Sequence, residues 1–289
     1  MKNKMKQRMT GVGKLSSKLL TILAMVVVPT LGHTADNSIY IDQAGDQNTI
    51  TVNQKQGGNT IGGVNGVPSN SNRAAFNGDN NTILIEQAGR SNSLGVSFNN
   101  DNSDRQVAAL STGVGVPMSF LYRVEGANNT VGVTVGAPNA KTMNNQVLID
   151  GNGSGNSING NVTGNNNTLM TGFGTGYGSG TAGAVDNSTI SSTINGAGNI
   201  TNIHFGDTGN TATTTQTGDN NSLNVNATGA SNTVTSVQDS TLATGHTLQA
   251  SVSGSGNTIN TYQGGGVNST INMNVAGSGN SITLNSNKP

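Results

Sequence analysis

Asparagine recurs on an eleven-residue beat. Asn37, Asn48, Asn59, Asn70, Asn81 and Asn92 are evenly spaced, and Asn199, Asn210, Asn221 and Asn232 resume the count. Most of them open one phrase: Asn48-Thr49-Ile50-Thr51-Val52-Asn53-Gln54 is matched by Asn81-Thr82-Ile83-Leu84-Ile85-Glu86-Gln87. A glycine usually follows two residues after the glutamine position. A unit this short cannot enclose a core of its own, so copies must stack and share one.

Number each phrase from its asparagine as position 0. Positions 2 and 4 are apolar: Ile39 and Ile41, Ile50 and Val52, Ile83 and Ile85, Leu94 and Val96, Val131 and Val133, Val147 and Ile149, Leu223 and Val225. Alternation with period two is the mark of a strand with one buried face. Even positions then face inward, which also takes in the amides at positions 0 and 6. The inward amides are Asn37, Gln43, Asn48, Gln54, Asn81, Gln87, Asn92, Asn210, Gln216, Asn221, Gln238 and Gln263. Glycine recurs at position 8, as Gly45, Gly89, Gly126, Gly153, Gly218 and Gly229, where a turn needs positive φ.

Each unit is thus one strand and one tight turn. Two units make a flat coil of about 22 residues, and coils stack through parallel ladders about 4.8 Å apart. The spacing predicts an all-β, two-layer β-solenoid over residues 36–289. Buried amides are costly unless paired, so Asn is expected above Asn and Gln above Gln in side-chain ladders. Counting weaker phrases opened by Asn70, Arg105, Met118, Ser188, His246 and Ser269 gives 21 units and a rod of about 50 Å. Extra residues at 97–104, 112–117, 135–144, 171–185 and 239–245 are expected at turns, where solenoids place insertions.

Composition agrees with order rather than disorder. Charged residues are 9%, aromatics 3%, and 42 of the 289 residues are glycine. Disordered chains combine low hydrophobicity with high net charge and few β-branched residues. Here charge is scarce and Ile, Val and Thr keep phase. Cysteine is absent, so backbone ladders rather than disulfides must hold the fold.

Residues 1–35 read as a secretory signal peptide. Lys2, Lys4, Lys6, Arg8, Lys14 and Lys18 precede a short apolar run, Leu19 to Val28, that Pro29 ends. The run is too short to cross a bilayer, so no membrane span is expected in the mature chain. Its removal takes six basic residues and no acid, leaving an excess of six acids. Such a chain argues against a nucleic-acid partner and for a secreted, extracellular or cell-surface location.

No catalytic, metal or cofactor site is expected. His33, His204 and His246 lack metal-ligand spacing. The cluster Asp101, Ser103 and Asp104 lacks the glycine and terminal bidentate acid of a Ca²⁺ loop. Asp42 and Glu86 share outward position 5 with no cleft between them, and no Ser/His/Asp set is evident. The chain does not read as an enzyme.

The pattern Asn-x5-Gln-x-Gly-x-x-Asn-x5-Gln resembles the curlin repeat of bacterial curli. Asn37, Gln43, Gly45, Asn48 and Gln54 match it in full, while Asn81, Gln87, Gly89, Asn92 and Asn210, Gln216, Gly218, Asn221 match its core. The resemblance implies a secreted fimbrial subunit that forms extracellular functional amyloid for biofilm matrix and adhesion. It implies other curlin-like subunits and an outer-membrane secretion apparatus as partners, besides the chain itself in a head-to-tail polymer. The chain departs from the family in its larger number of units, in its inserts, and in starting its repeats at Asn37 without a Gly-rich export segment before them. Two other readings share the residues. One is a monomeric solenoid adhesin or spacer that binds through its inserts. The other is an ice-binding solenoid, suggested by outward pairs such as Thr49 and Thr51, or Thr211 and Thr213.

Overall fold

The computed structural model describes residues 37–39, 41–55, 59–61, 74–77, 79–88, 93–94, 122–125, 127–136, 145–173 and 185–288. The proposed signal segment, Asn70, Gly89, Asn92, Gly126 and the 97–104 cluster lie outside them. The described residues form strands and turns without a helix, in two parallel sheets.

One sheet has nine strands in chain order: Thr49–Gln54, Thr82–Gln87, Thr130–Val135, Ser157–Asn165, Thr189–Ala197, Thr211–Gly218, Thr233–Ser240, Thr258–Gly265 and Ser281–Lys288. The facing sheet takes the alternate strands, among them Gln146–Asn152, Thr168–Phe173, Ile200–Phe205, Ser222–Thr228, Thr247–Ser253 and Thr270–Ala276. The chain alternates between the sheets, so each coil contributes one strand to each. The protein is a two-layer β-solenoid.

Register shows how the sequence is counted. Ile158 pairs with Ile190, Ile190 with Ala212, Ala212 with Val234, and Val234 with Ile259. These position-2 residues form one inward column and are buried. Leu169, Ile203, Leu223, Val225 and Leu248 close the core from the facing sheet. At the ends the same positions are only partly buried: Ile39, Ile41, Ile50 and Val52 at one, Ile271, Ile282 and Leu284 at the other.

The unit count requires correction. Ser38–Ile39 pairs with Thr60–Ile61, while Ile41–Ala44, in the same strand pass, pairs with Ala74–Asn77. One coil higher, Gln146–Asn152 pairs with both Ser93–Leu94 and Tyr122–Glu125. The described strands on either side of residues 62–73, and those on either side of residues 95–121, therefore pair in register with one neighbouring strand pass. Asn70, Arg105 and Met118 lie outside the described residues, and Tyr122 opens the described strand Tyr122–Glu125. The described strands make nine coils, about 40 Å of stack at ~4.8 Å each. The insert near Asp239–Gly245 does lie at a turn, between Thr233–Ser240 and Thr247–Ser253.

Inside and outside are also not strict. In the nine-stranded sheet, position 4 changes along the stack from Ile85 and Val133 to Ser192, Thr214, Ser236 and Thr261, all buried. Their hydroxyls pair between coils, Thr214 Oγ1 donating to Ser192 Oγ at 3.0 Å and Thr261 Oγ1 to Ser236 Oγ at 2.9 Å. In the facing sheet, Leu148 and Met170 stand at outward position 3 yet are buried. Thr171 is fully buried at position 4 between Ile149 and Ile203, and its Oγ1 has no hydrogen-bond partner among the described residues. Thr171→Val keeps the shape and removes the orphan hydroxyl. It should raise unfolding stability by about 1–2 kcal/mol, read as a higher denaturant midpoint at unchanged slope.

Candidate functional site

The site that the sequence marks is the set of amide columns through the stack and the open coils that end them. It is built at the turns. Most described strands are entered through a residue with left-handed backbone just before position 0. These are Gln47, Asn80, Asn128, Asn166, Asn187, Asn220 and Ser231, with φ between 54° and 60°, or a glycine such as Gly155, Gly198, Gly209, Gly256 and Gly279. A second left-handed residue sits at or beside position 8, as at Gly45, Gly153, Gly164, Gly218, Gly229 and Gly254. The sequence reading found the second and missed the first. The signal was present in the doublets Asn80-Asn81, Asn128-Asn129, Asn166-Asn167 and Asn220-Asn221, because asparagine tolerates this region best after glycine.

The position-0 asparagines do not form the simple amide-over-amide ladder expected of them. Each Oδ1 mainly accepts the backbone N–H of position 0 in the next coil. Asn59 N–H donates to Asn37 Oδ1 at 3.0 Å, Asn81 to Asn48 at 2.8 Å, Asn129 to Asn81 at 2.9 Å, Asn221 to Asn199 at 2.8 Å and Asn232 to Asn210 at 2.8 Å. In many coils Nδ2 then reaches the carbonyl of the next coil's turn: Asn129 to Gly153, Asn167 to Gly196, Asn199 to Gly218, Asn232 to Gly254 and Asn257 to Gly277, all at 2.7–2.9 Å. Direct Asn–Asn bonds occur at Asn199 to Asn167, Asn257 to Asn232 and Asn280 to Asn257. The cause is reach: asparagine is short and enters from a turn, so backbone groups of the coil above lie nearer than its amide. Asn37 is half-buried, while Asn48, Asn81, Asn210 and Asn221 are buried.

Other side chains stand in for asparagine where they can accept. Ser188 Oγ takes the Asn210 N–H at 3.1 Å. His246 is fully buried, and its Nδ1 takes the Ser269 N–H at 3.2 Å. That bond makes Nδ1 the acceptor, so the network assigns the proton to Nε2, 2.9 Å from the Asp239 carbonyl.

Glutamine behaves differently. Gln54 Nε2 donates to Gln87 Oε1 at 2.6 Å, Gln216 to Gln238 at 2.8 Å and Gln238 to Gln263 at 2.9 Å, all buried. In the second run Nε2 also crosses the core to Ile200, Ser222 and Thr247 carbonyls of the facing sheet at 2.8–3.1 Å. These glutamines all belong to the nine-stranded sheet. Val135, Val162 and Ile194 interrupt the column between the two runs. The facing sheet fills position 6 with Phe173, Phe205, Ala227, Val252 and Val275, and the two phenylalanine rings lie 5.9 Å apart. Gln43 is the exception. It is half-buried, pairs in register with Phe76, and donates to its own turn at Gly45 O, 2.8 Å away. With no glutamine above it, no ladder forms.

A further column at position 9 escaped the sequence reading. Side chains there accept the backbone N–H of the coil below: Asp46 N–H to Asp79 Oδ1, Ser154 to Asp186 Oδ1 and Ala197 to Asp219 Oδ1, each 2.7 Å, then Ala230 to Ser255 Oγ and Ser255 to Ser278 Oγ. The phrase Asp/Ser-x-Asn, as in Asp79 to Asn81 or Ser255 to Asn257, marked it.

Among the described residues, the columns end at the first and last coils. Ser281–Lys288 lies at one edge of the nine-stranded sheet, paired only with Thr258–Gly265, and Thr49–Gln54 lies at the other. Thr258 N–H donates upward to the Asn280 carbonyl. By the alternation of a parallel ladder, the N–H groups of Ser281, Thr283 and Asn285 point away from the stack. Among the described residues, no three His, Asp or Glu side chains converge to hold a metal ion, and no helix is long and apolar enough to cross a membrane. No family model, no curated protein and no solved structure matches the chain.

Proposed function

We propose that the chain is a secreted structural subunit that polymerises head to tail, coil upon coil, into extracellular amyloid-like fibres. One observation carries this: the last coil presents the same inward pattern as the first. Ile282 and Leu284 would stack beneath Ile50 and Val52 of a second copy, with Asn280 Oδ1 placed to take the Asn48 N–H. Exposed strand edges of this kind are templates for another chain. The curlin resemblance points the same way, towards biofilm matrix and surface adhesion, with curlin-like subunits and an outer-membrane secretion apparatus as partners.

Thr283→Pro and Ile41→Pro test it. Each removes an outward-pointing N–H from a terminal strand while sparing bonds to the neighbouring coil. Residues 36–289 are expected to form seedable fibres with a meridional spacing near 4.8 Å, and either proline should slow elongation at its own end. A chain that stays monomeric for days at high concentration, seeded or not, would transfer the conclusion to the adhesin reading. That second reading has its own support in the length of sequence, residues 62–73 and 95–121, that separates described strands pairing with one neighbouring strand pass.

A further inference from the structure

The outer face of the nine-stranded sheet is unlike the rest of the surface. Position 1 carries Thr or Ser in every coil: Thr49, Thr82, Thr130, Ser157, Thr189, Thr211, Thr233, Thr258 and Ser281. Positions 3 and 5 add Thr51, Ser191, Thr193, Thr213, Thr215 and Thr235, with asparagines, Leu84, Gly132, Val237 and Tyr262 among them. All are exposed or half-exposed. Only one charged residue stands on the face, Glu86. The acids Asp46, Asp79, Asp186, Asp207, Asp219 and Asp239 lie in or next to the turns instead. Its described strands are unbroken, whereas residues 62–73 and 95–121 separate described strands of the facing sheet.

We infer that this face pairs laterally with the same face of a second copy. The inference does not rest on end-to-end growth, which uses different atoms. Nine strands at ~4.8 Å and about five residues at ~3.3 Å give roughly 700 Å², close to the ~800 Å² per partner of a stable interface. The acids lie at the rim, where they stay hydrated, and the centre is nearly free of charge, as interface cores are. Threonine hydroxyls both donate and accept, so an identical face is complementary without a matched set of opposite charges. Their short side chains lose little freedom on packing. A sugar chain would call for aromatic platforms and several carboxylates, and the face has one of each, Tyr262 and Glu86.

Glu86 also sets the orientation. In a parallel pair the two-fold axis runs along the stack, so both carboxylates would share one coil level, each opposite the partner's Thr82 and about 13 Å apart along the strand. In an antiparallel isologous pair the second coil faces the eighth, which places Glu86 opposite the coil of Tyr262. The fifth coil then faces itself at Ser191, and Thr213 faces Asn159.

The chain has no cysteine, so single thiols report the geometry. The test uses the secreted chain with Thr283→Pro added to suppress elongation. Ser191→Cys is expected to give a disulfide-linked dimer under mild oxidation, and Ser251→Cys, exposed on the opposite sheet, only background. Chains carrying Thr213→Cys should cross-link to chains carrying Asn159→Cys faster than to themselves. Adding Thr193→Lys and Thr213→Lys to Ser191→Cys should cut the yield at least about tenfold, since both charges would sit at the dry centre, with far-UV circular dichroism unchanged. Equal yields from Ser191→Cys and Ser251→Cys would overturn the pairing, as would insensitivity to the lysines or adsorption to a polysaccharide without covalent dimer. Faster self-cross-linking of Thr213→Cys would overturn the antiparallel arrangement. Fibre growth by the parent chain is scored separately, so either conclusion can fail alone.

Discussion

Ile83→Asp is expected to abolish cooperative folding, while Thr82→Asp, one residue away, should shift stability by no more than about 0.5 kcal/mol. Ile83 is 1% exposed and stacks in register between Ile50 and Val131, whereas Thr82 is exposed. Removing the isoleucine side chain costs about 2–5 kcal/mol in packing, and desolvating an unpaired carboxylate adds several more. Together they rival the ~5–15 kcal/mol that holds a domain folded. Chemical denaturation followed by circular dichroism distinguishes the two substitutions. Similar midpoints for both would contradict the inward assignment of even positions.

Gly196→Ala should be nearly as damaging, although it adds one methyl group. The backbone at Gly196 has φ of 140°, and a Cβ there would lie 1.9 Å from the Gly218 carbonyl oxygen. That oxygen cannot retreat freely, because Asn199 Nδ2 holds it at 2.8 Å. The same collision recurs up the stack: a Cβ on Gly164 would meet Gly196 O at 1.8 Å and one on Gly254 would meet Gly277 O at 2.2 Å. Gly279→Ala is the control. It shares the left-handed backbone, at φ 72°, but nothing lies within 4 Å of the added atom. The control should lose about 1–2 kcal/mol. Gly196→Ala should lose several times that and open the stack at the fifth and sixth coils, seen as local loss of amide protection in hydrogen exchange.

The sequence was most legible where one physical demand acts on every coil. Alternation of Ile and Val with polar residues gave strands, the facing of their sides and the two-layer architecture, because a period of two has one structural meaning. It was less legible where partners are backbone atoms. Asn at position 0 was read as a partner for another Asn, but a sequence does not display the carbonyl and N–H groups of the next turn, which are what it bonds. The glutamine column was over-extended to Gln43 for a related reason. Whether an amide finds its like depends on the residue one coil away, and that residue is Phe76, thirty-three positions on. The hydroxyl column of Ser192, Thr214, Ser236 and Thr261 broke the apolar rule at position 4, and small polar residues there were legible only as exceptions. Coil counting was the least legible: the described strands make nine coils, and the phrases at Asn70, Arg105 and Met118 lie outside the described residues.

The two long intervals between described strands of the facing sheet have a consequence for how such a chain can change over time. Twelve residues separate Ile61 from Ala74, and twenty-seven separate Leu94 from Tyr122, yet the neighbouring coil spends a single residue between the partners of each pair. Register is therefore dictated by the coil alongside and not by the number of residues intervening. Closure entropy rises only with the logarithm of the detour, so genetic insertions at that point are nearly neutral for the scaffold whatever their size. Genome length and rod length are uncoupled there, and new sequence can be acquired, lost or exchanged on the facing sheet while the ladder that carries it keeps its old spacing.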